Sequence, residues 1–167
     1  SDGANIIRID LSADALLDTQ HSYLRFTVGM TGAGNTAGID YAGGHSFIRR
    51  LRVEQSGTVL EDIQSYNRLM GAIVLPCMSG NDHKATRTLT AADAATTLRN
   101  LGIANNGEAQ IANGAANSYT FCIPLTSGLL NSEKLVPLML MSAPLTIEIE
   151  LASQVQAVVQ SAAAVQY

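Results

Sequence analysis

"PLTIEIELA", residues 144–152, alternates without a fault: Leu145, Ile147, Ile149 and Leu151 fall on every second position, with Thr146, Glu148 and Glu150 between them. A period of two is the pattern of a β-strand with one face in a core and one face in water or against a polar partner. The proline in front cannot donate a ladder hydrogen bond, so it marks the start of the strand. The wider stretch 123–152 holds three of the chain's four prolines, Pro124, Pro137 and Pro144, each followed by a leucine. These pairs read as strand punctuation rather than as a reactive site.

Outward from this strand the same period recurs. Ile7, Ile9 and Leu11 alternate with Arg8 and Asp10; Leu24, Phe26 and Val28 alternate with Tyr23, Arg25 and Thr27; Tyr119, Phe121, Ile123 and Leu125 share a face. "FIRRLRVEQSGTVLEDI", residues 47–63, reads as a hairpin turning at Gln55-Ser56-Gly57. A turn or short helix is expected around "SADALLDTQ", and "GMTGAGNTAG", residues 29–38, reads as a glycine-rich loop. Ile63, Tyr66, Met70, Ile73 and Val74 recur at spacings of three and four, predicting a short helix that Pro76 ends. Residues 79–89 read as an irregular excursion. "TAADAATTLRNLG", from Thr90 with Asp93 as a capping box to Gly102, predicts a second helix, and two Asn-Gly turns follow it. Residues 153–167 read either as a continuing strand or as an Ala-rich tail. Short strands, Gly-rich turns and helices inserted in connections predict an all-β antiparallel sandwich, with residues 1–167 as a single domain.

A chain of 167 residues can bury a full core without metal or disulfide. Its 47% hydrophobic and 14% charged residues suggest that neighbours cover part of its surface. The net charge of −4 argues against direct specific nucleic-acid binding, which a basic face would dominate. Cys77 and Cys122 are expected as small core residues, since neither a zinc spacing nor a redox pair is present. No apolar stretch is long enough to span a membrane, and the start at Ser-Asp-Gly without Met is expected to reflect processing or trimming.

The residues offer little chemistry. His21, His45 and His83 stand apart from one another and from ligand-spaced carboxylates or cysteines. His45-Ser46 lacks the context of an activated serine. Asp10, Asp14 and Asp18, four apart, admit at most a loosely held cation, since they lack the alternate spacing of an EF-hand. The expectation is therefore no catalytic, cofactor-binding or metal-binding residues, no cofactor, and not an enzyme. Arg49, Arg50 and Arg52 form the main charge cluster. Phe47, Leu51 and Val53 are expected in the core with Arg50 and Arg52 facing out, which leaves Arg49 on the apolar side in need of a carboxylate or an exit to water. The cluster reads either as a strand face with ion pairs or as a contact with another subunit, phosphates or lipid head groups.

Two segments carry a resemblance. "AGGHSFIRRLRVEQSGTVLEDIQSYNRLMGAI", residues 42–73, and "YTFCIPLTSGLLNSEKLVPLMLMSAPLTIEIELA", residues 119–152, are similar in order and spacing to segments of the major capsid proteins of large algal and amoebal DNA viruses. That lineage includes adenovirus hexon and the capsid proteins of tailless lipid-containing phages. The resemblance implies a jelly-roll β-sandwich, a structural virion protein that self-assembles with copies of itself and other capsid proteins into an icosahedral shell. It implies a homotrimer or pseudo-hexameric capsomer, with an internal membrane contact left open. The sequence departs from the family in having room for one jelly roll, in Ser56-Gly57 where Gly-Gly is usual, and in missing aromatics in the later segment. The chain reads as the first half of a longer protein, a single-jelly-roll relative or a minor component. The alternative is a carbohydrate- or receptor-binding β-sandwich domain, which the shortage of aromatics disfavours.

Overall fold

The computed structural model describes residues 5–29, 36–39, 42–74, 77, 110–112, 118–153 and 157–160. Eleven strands are placed: β1 (Ile6–Leu11), β2 (Leu16–Leu17), β3 (Tyr23–Gly29), β4 (Thr36–Ile39), β5 (Ile48–Gln55), β6 (Thr58–Gln64), β7 (Gln110–Ala112), β8 (Ser118–Pro124), β9 (Val136–Pro137), β10 (Leu145–Leu151) and β11 (Val158–Gln160). One α-helical turn, α1 (Tyr66–Leu69), runs into a π-turn over Met70–Val74, and 3₁₀ turns cover Gly43–Phe47 and Leu138–Leu140. The described residues are predominantly β, and every strand pair among them is antiparallel.

The alternating strand of residues 145–151 is β10, and it lies inside a four-stranded sheet of order β1-β10-β5-β6. Its register explains its pattern. Ile147 sits between Ile9 and Val53, and Ile149 between Ile7 and Leu51, so β-branched and aliphatic side chains line the core face. Leu145, Ile147, Ile149, Leu51 and Val53 are all buried. Opposite them lies the β3-β8 pair, where Leu24 faces Ile123 and Phe26 faces Phe121. The Phe26 and Phe121 rings stack at 5.4 Å, and Phe47 meets each ring edge-on or tilted at 6.0 and 5.6 Å. Both sheets contribute to one hydrophobic cluster.

The remaining pairs nest inside the first. β1 pairs with β10, β2 with β9, β3 with β8 and β4 with β7, so the two halves of the chain run back along each other like the strands of one long ribbon.

The β5-β6 hairpin turns at Ser56 and Gly57, both at positive φ (49° and 81°) as a two-residue type I′ turn requires. One residue of β6, Leu60, has no partner across the hairpin, because the register shifts between Val53 and Glu54. A second bulge settles the Arg49 problem. Glu150 pairs with Arg50 and Leu151 with Ile48, which leaves Arg49 as the extra residue, displaced to the surface. The same bulge makes Ile48 the fully buried residue and leaves Phe47 only partly buried, and Leu151, opposite Ile48 at the end of its strand, is 36% exposed.

Several expectations are corrected. Of the turn or short helix expected at "SADALLDTQ", the turn is found, at Ala13-Asp14, and β2 follows it. The second half of the glycine-rich loop is β4, because Thr36–Ile39 finds partners on both sides, β7 and β11. Ile63 belongs to β6, and only Tyr66 and Met70 of the expected helical face are buried. Within 153–167, residues 158–160 are a strand against β4, and Ala157 is buried in its own chain. Cys77 is exposed, and Cys122 is half-buried opposite Arg25 on the outer side of β8. The expected helix from Thr90, the excursion 79–89, both Asn-Gly turns, Pro76 and His83 lie outside the described residues.

Candidate functional site

Three features beyond the core stand out: a charged sheet face, a buried histidine and an exposed apolar corner. The charged face follows from the alternation of β10 and its neighbours. Residues opposite one another share a side, so the outward positions form three cross-strand rows: Ile6-Glu150-Arg50-Gln64, Arg8-Glu148-Arg52-Asp62 and Asp10-Thr146-Glu54-Val59. Arg8 Nε donates to Glu148 Oε2 at 2.8 Å, and Arg52 Nη1 lies 3.6 Å from Glu148 Oε1. Arg50 grips Asp62 with two hydrogen bonds, of 2.7 and 2.5 Å, and Arg49 Nη1 donates to Glu150 at 3.0 Å. Thr146 Oγ1 donates to Asp10 at 2.7 Å.

The physical consequences follow burial. Glu148 is only 8% exposed although it is on the outer face, because flanking arginines roof it. The Glu148 hydrogen bond raises the Arg8 pKa, and the Asp62 hydrogen bond raises that of Arg50. Arg50 in turn holds the Asp62 carboxyl below the usual carboxylate range. Arg52 Nε is buried without a hydrogen-bond partner among the described residues; Glu54 Oε2 stands 3.9 Å away. The Arg49, Arg50 and Arg52 cluster thus pairs with carboxylates of its own chain, as do Glu148 and Glu150 from the other side.

The histidine is His45. It sits in the Gly43–Phe47 turn, is 1% exposed, and meets the Tyr66 hydroxyl at 3.3 Å through Nδ1. That hydroxyl accepts the Thr126 N–H at 3.0 Å, so its own proton is free to point at Nδ1. Burial lowers the His45 pKa to about 4, and burial raises that of Tyr66. The junction ties the turn before β5, the α1 turn and the segment after β8 together. Ser46 Oγ donates to Gly43 O at 2.6 Å, within its own turn, so His45 and Ser46 are not a nucleophile and base pair. Sequence alone separates His45 from the other histidines only by the apolar strand that follows it.

Asp10, Asp14 and Asp18 diverge: Asp10 accepts from Thr146, Asp14 from Ser12 at 3.0 Å, and Asp18 from His21 at 2.9 Å. The His21 hydrogen bond lowers the Asp18 pKa. Among the described residues no three His, Cys, Asp or Glu side chains gather as a metal site, and no helix is long and apolar enough to cross a membrane.

The apolar corner is built by β2 and β9, where Leu16 pairs with Pro137. Leu16, Leu135 and Met139 are about half exposed and Leu140 is 80% exposed. It lies on the last turns before β10, and the Pro-Leu punctuation gave no sign of it. This arrangement presents surfaces for contact, ionic on one sheet face and apolar at one corner, and the His45 junction is a structural polar group inside the core. No protein-family model matches the chain, and no curated protein matches it.

Proposed function

We propose that this chain is a jelly-roll capsid protein that self-assembles, without catalysing a reaction, into capsomers of a closed icosahedral shell in a virion. The observation that carries the reading is the nested pairing of β1 with β10, β2 with β9, β3 with β8 and β4 with β7. A long antiparallel ribbon wound on itself is how a jelly roll arises, and β5, β6, β8, β9 and β10 fall in the two segments that resemble viral major capsid proteins. Support also comes from the exposed apolar corner of Leu16, Leu135, Met139 and Leu140, a surface suited to burial between copies. The partners are copies of itself and other capsid proteins, in a trimer or pseudo-hexameric capsomer. Mass measurement and negative-stain microscopy of the purified chain test this. Rings, trimers or shells are expected; a strictly monomeric species at high concentration overturns the reading, and a monomer that binds glycans would favour the carbohydrate-binding alternative.

A further inference from the structure

Strand β1 is an edge of the four-stranded sheet, and among the described residues β10 is its only neighbour. Proteins usually close such an edge with proline, lysine, a bulge or a very short strand. β1 has none of these: six residues, IIRIDL, in unbroken register with β10. Its two charged side chains, Arg8 and Asp10, are of opposite sign and so do not by themselves repel a second copy. Ile6 and Ile7 are 51% and 44% exposed, and the Arg8 side chain is 66% exposed.

Backbone parity shows which groups are open. Asn5 O accepts the Leu151 N–H at 2.7 Å. In an antiparallel ladder the direction alternates, so Asn5, Ile7, Ile9 and Leu11 turn their N–H and C=O towards β10, while Ile6, Arg8 and Asp10 turn theirs away. We propose that β1 is a self-pairing edge, to which a second copy of this chain adds its own β1 antiparallel about a two-fold axis through Ile9, with Arg8 opposite Asp10 of the second copy. This rests on the self-assembly reading and names one contact through which copies meet.

Charge selects this register. An axis through Arg8 would set Arg8 against Arg8, a like-charge pair directly opposite. An axis through Ile7 would set Arg8 against Ile6. An axis between residues would match outward-pointing backbone groups with inward-pointing ones. Only the axis through Ile9 pairs opposite charges, and it does so twice, by symmetry. The row Asp62-Arg52-Glu148-Arg8 then continues into Asp10 of the second copy, so the alternation of sign runs unbroken across the join. On the other face, Ile7 meets Leu11 of the second copy and Ile9 meets Ile9.

Disulfide trapping reads the register. In the full chain with Cys77→Ser and Cys122→Ser, Ile9→Cys places two thiols in a non-hydrogen-bonded pair on the axis, where Cα atoms approach to about 4.5 Å and a disulfide can close. Arg8→Cys is two positions out of register with itself. Ile9→Cys is expected to form a covalent dimer under mild oxidation, and Arg8→Cys roughly tenfold less of it. Asp10→Pro removes an N–H that points away from β10, so it spares the monomer's ladder, though not the Thr146 hydrogen bond to the Asp10 carboxylate, while deleting half of the joint's hydrogen bonds and its Arg8-Asp10 charge pairs. It is expected to weaken dimerisation in sedimentation roughly tenfold or more. No trapping of Ile9→Cys, or equal trapping of Arg8→Cys, overturns the proposal, and that comparison decides it alone if Asp10→Pro does not fold. Large assemblies with untrapped Ile9→Cys overturn this contact and leave the capsid reading standing; trapped dimers that never grow further keep the contact and overturn the capsid reading.

Discussion

His45 is the residue whose state depends most on its surroundings. With a folded-state pKa of about 4 against 6.5 in the unfolded chain, the unfolded state takes up a proton first as the pH falls. Its contribution to stability is therefore complete above pH 6.5 and is lost progressively as the pH falls towards 4. The loss amounts to roughly 3 kcal/mol once both states are protonated. Urea denaturation at pH 7, 5.5 and 4.5 should show the decline, and His45→Gln, which keeps an acceptor for the Tyr66 hydroxyl, should flatten it. An unchanged slope in that variant would place the acid sensitivity elsewhere. Asp62 acts in a lower window: its carboxyl is depressed by Arg50, so its contribution is present above the unfolded pKa of 3.8 and fades only as the pH falls below that. Glu148 offers a sharper test of the charged face. Replacing this roofed carboxylate with Gln leaves Arg52, whose Nε already lacks a partner, without its nearest anion, and should cost about 2 kcal/mol by chemical denaturation. Arg49→Ala, which removes only an exposed pair, should change stability by less than about 0.5 kcal/mol.

At the scale of the element, the β5-β6 turn accounts for its own sequence. Ser56 and Gly57 both occupy positive φ, where Gly or Asn is favoured and serine is strained. An added Cβ at Gly57 would meet nothing within 4 Å, so any cost of Gly57→Ala comes from the backbone and not from crowding. That substitution should destabilise by about 1 kcal/mol, whereas Ser56→Asn should stabilise by a few tenths of a kcal/mol, both read from urea midpoints. A cost well above 2 kcal/mol at Gly57 would show the turn packed against something else. The period of two, with the Ser56-Gly57 turn for the hairpin, disclosed β1, β3, β5, β6, β8 and β10 because each has at least six residues and turns one face towards the core, even where, as in β1 and β6, no residue of it is fully buried. It could not disclose β2 and β9, at two residues each, or β4 and β11, at four and three, since so short a run samples barely one period. The Arg49 bulge was equally hidden. A single inserted residue shifts the faces of all that precede it, which is why Ile48 is fully buried beside the expected Phe47, which packs against the core partly buried. The Arg cluster was visible from the sequence, but two of its partners were not: Asp62 lies across the expected hairpin from Arg50, whereas Glu150 and Glu148 lie about a hundred residues away and become neighbours only through the β5-β10 pairing.

For the whole molecule, the pairing of β11 with β4 makes residues 157–160 part of the fold and not an appendage to it. β11 pairs with β4, β4 pairs with β7, and Ala157 is buried with its N–H bonded to Ser153 O at 3.1 Å. Removing β11 leaves β4 and β7 as a two-stranded ribbon of three or four residues a side, a unit that is marginal in water. Truncation after Ser153 should therefore lower the stability of the monomer itself by roughly 2 kcal/mol, from the lost ladder hydrogen bonds and the re-exposed apolar surface. The measurement is denaturant unfolding at protein concentrations low enough to keep the chain monomeric. Because the lost contacts are within one chain, the deficit should be the same at every concentration tested. A deficit that appears only where copies associate would instead assign residues 157–160 to a contact between subunits. An assembly defect in the truncated chain is then expected as a secondary effect of the weakened β4 sheet, and an osmolyte such as sucrose should raise the global stability without restoring β4's partner. Assembly that recovers along with stability would mean that β11 serves the shell only through the fold.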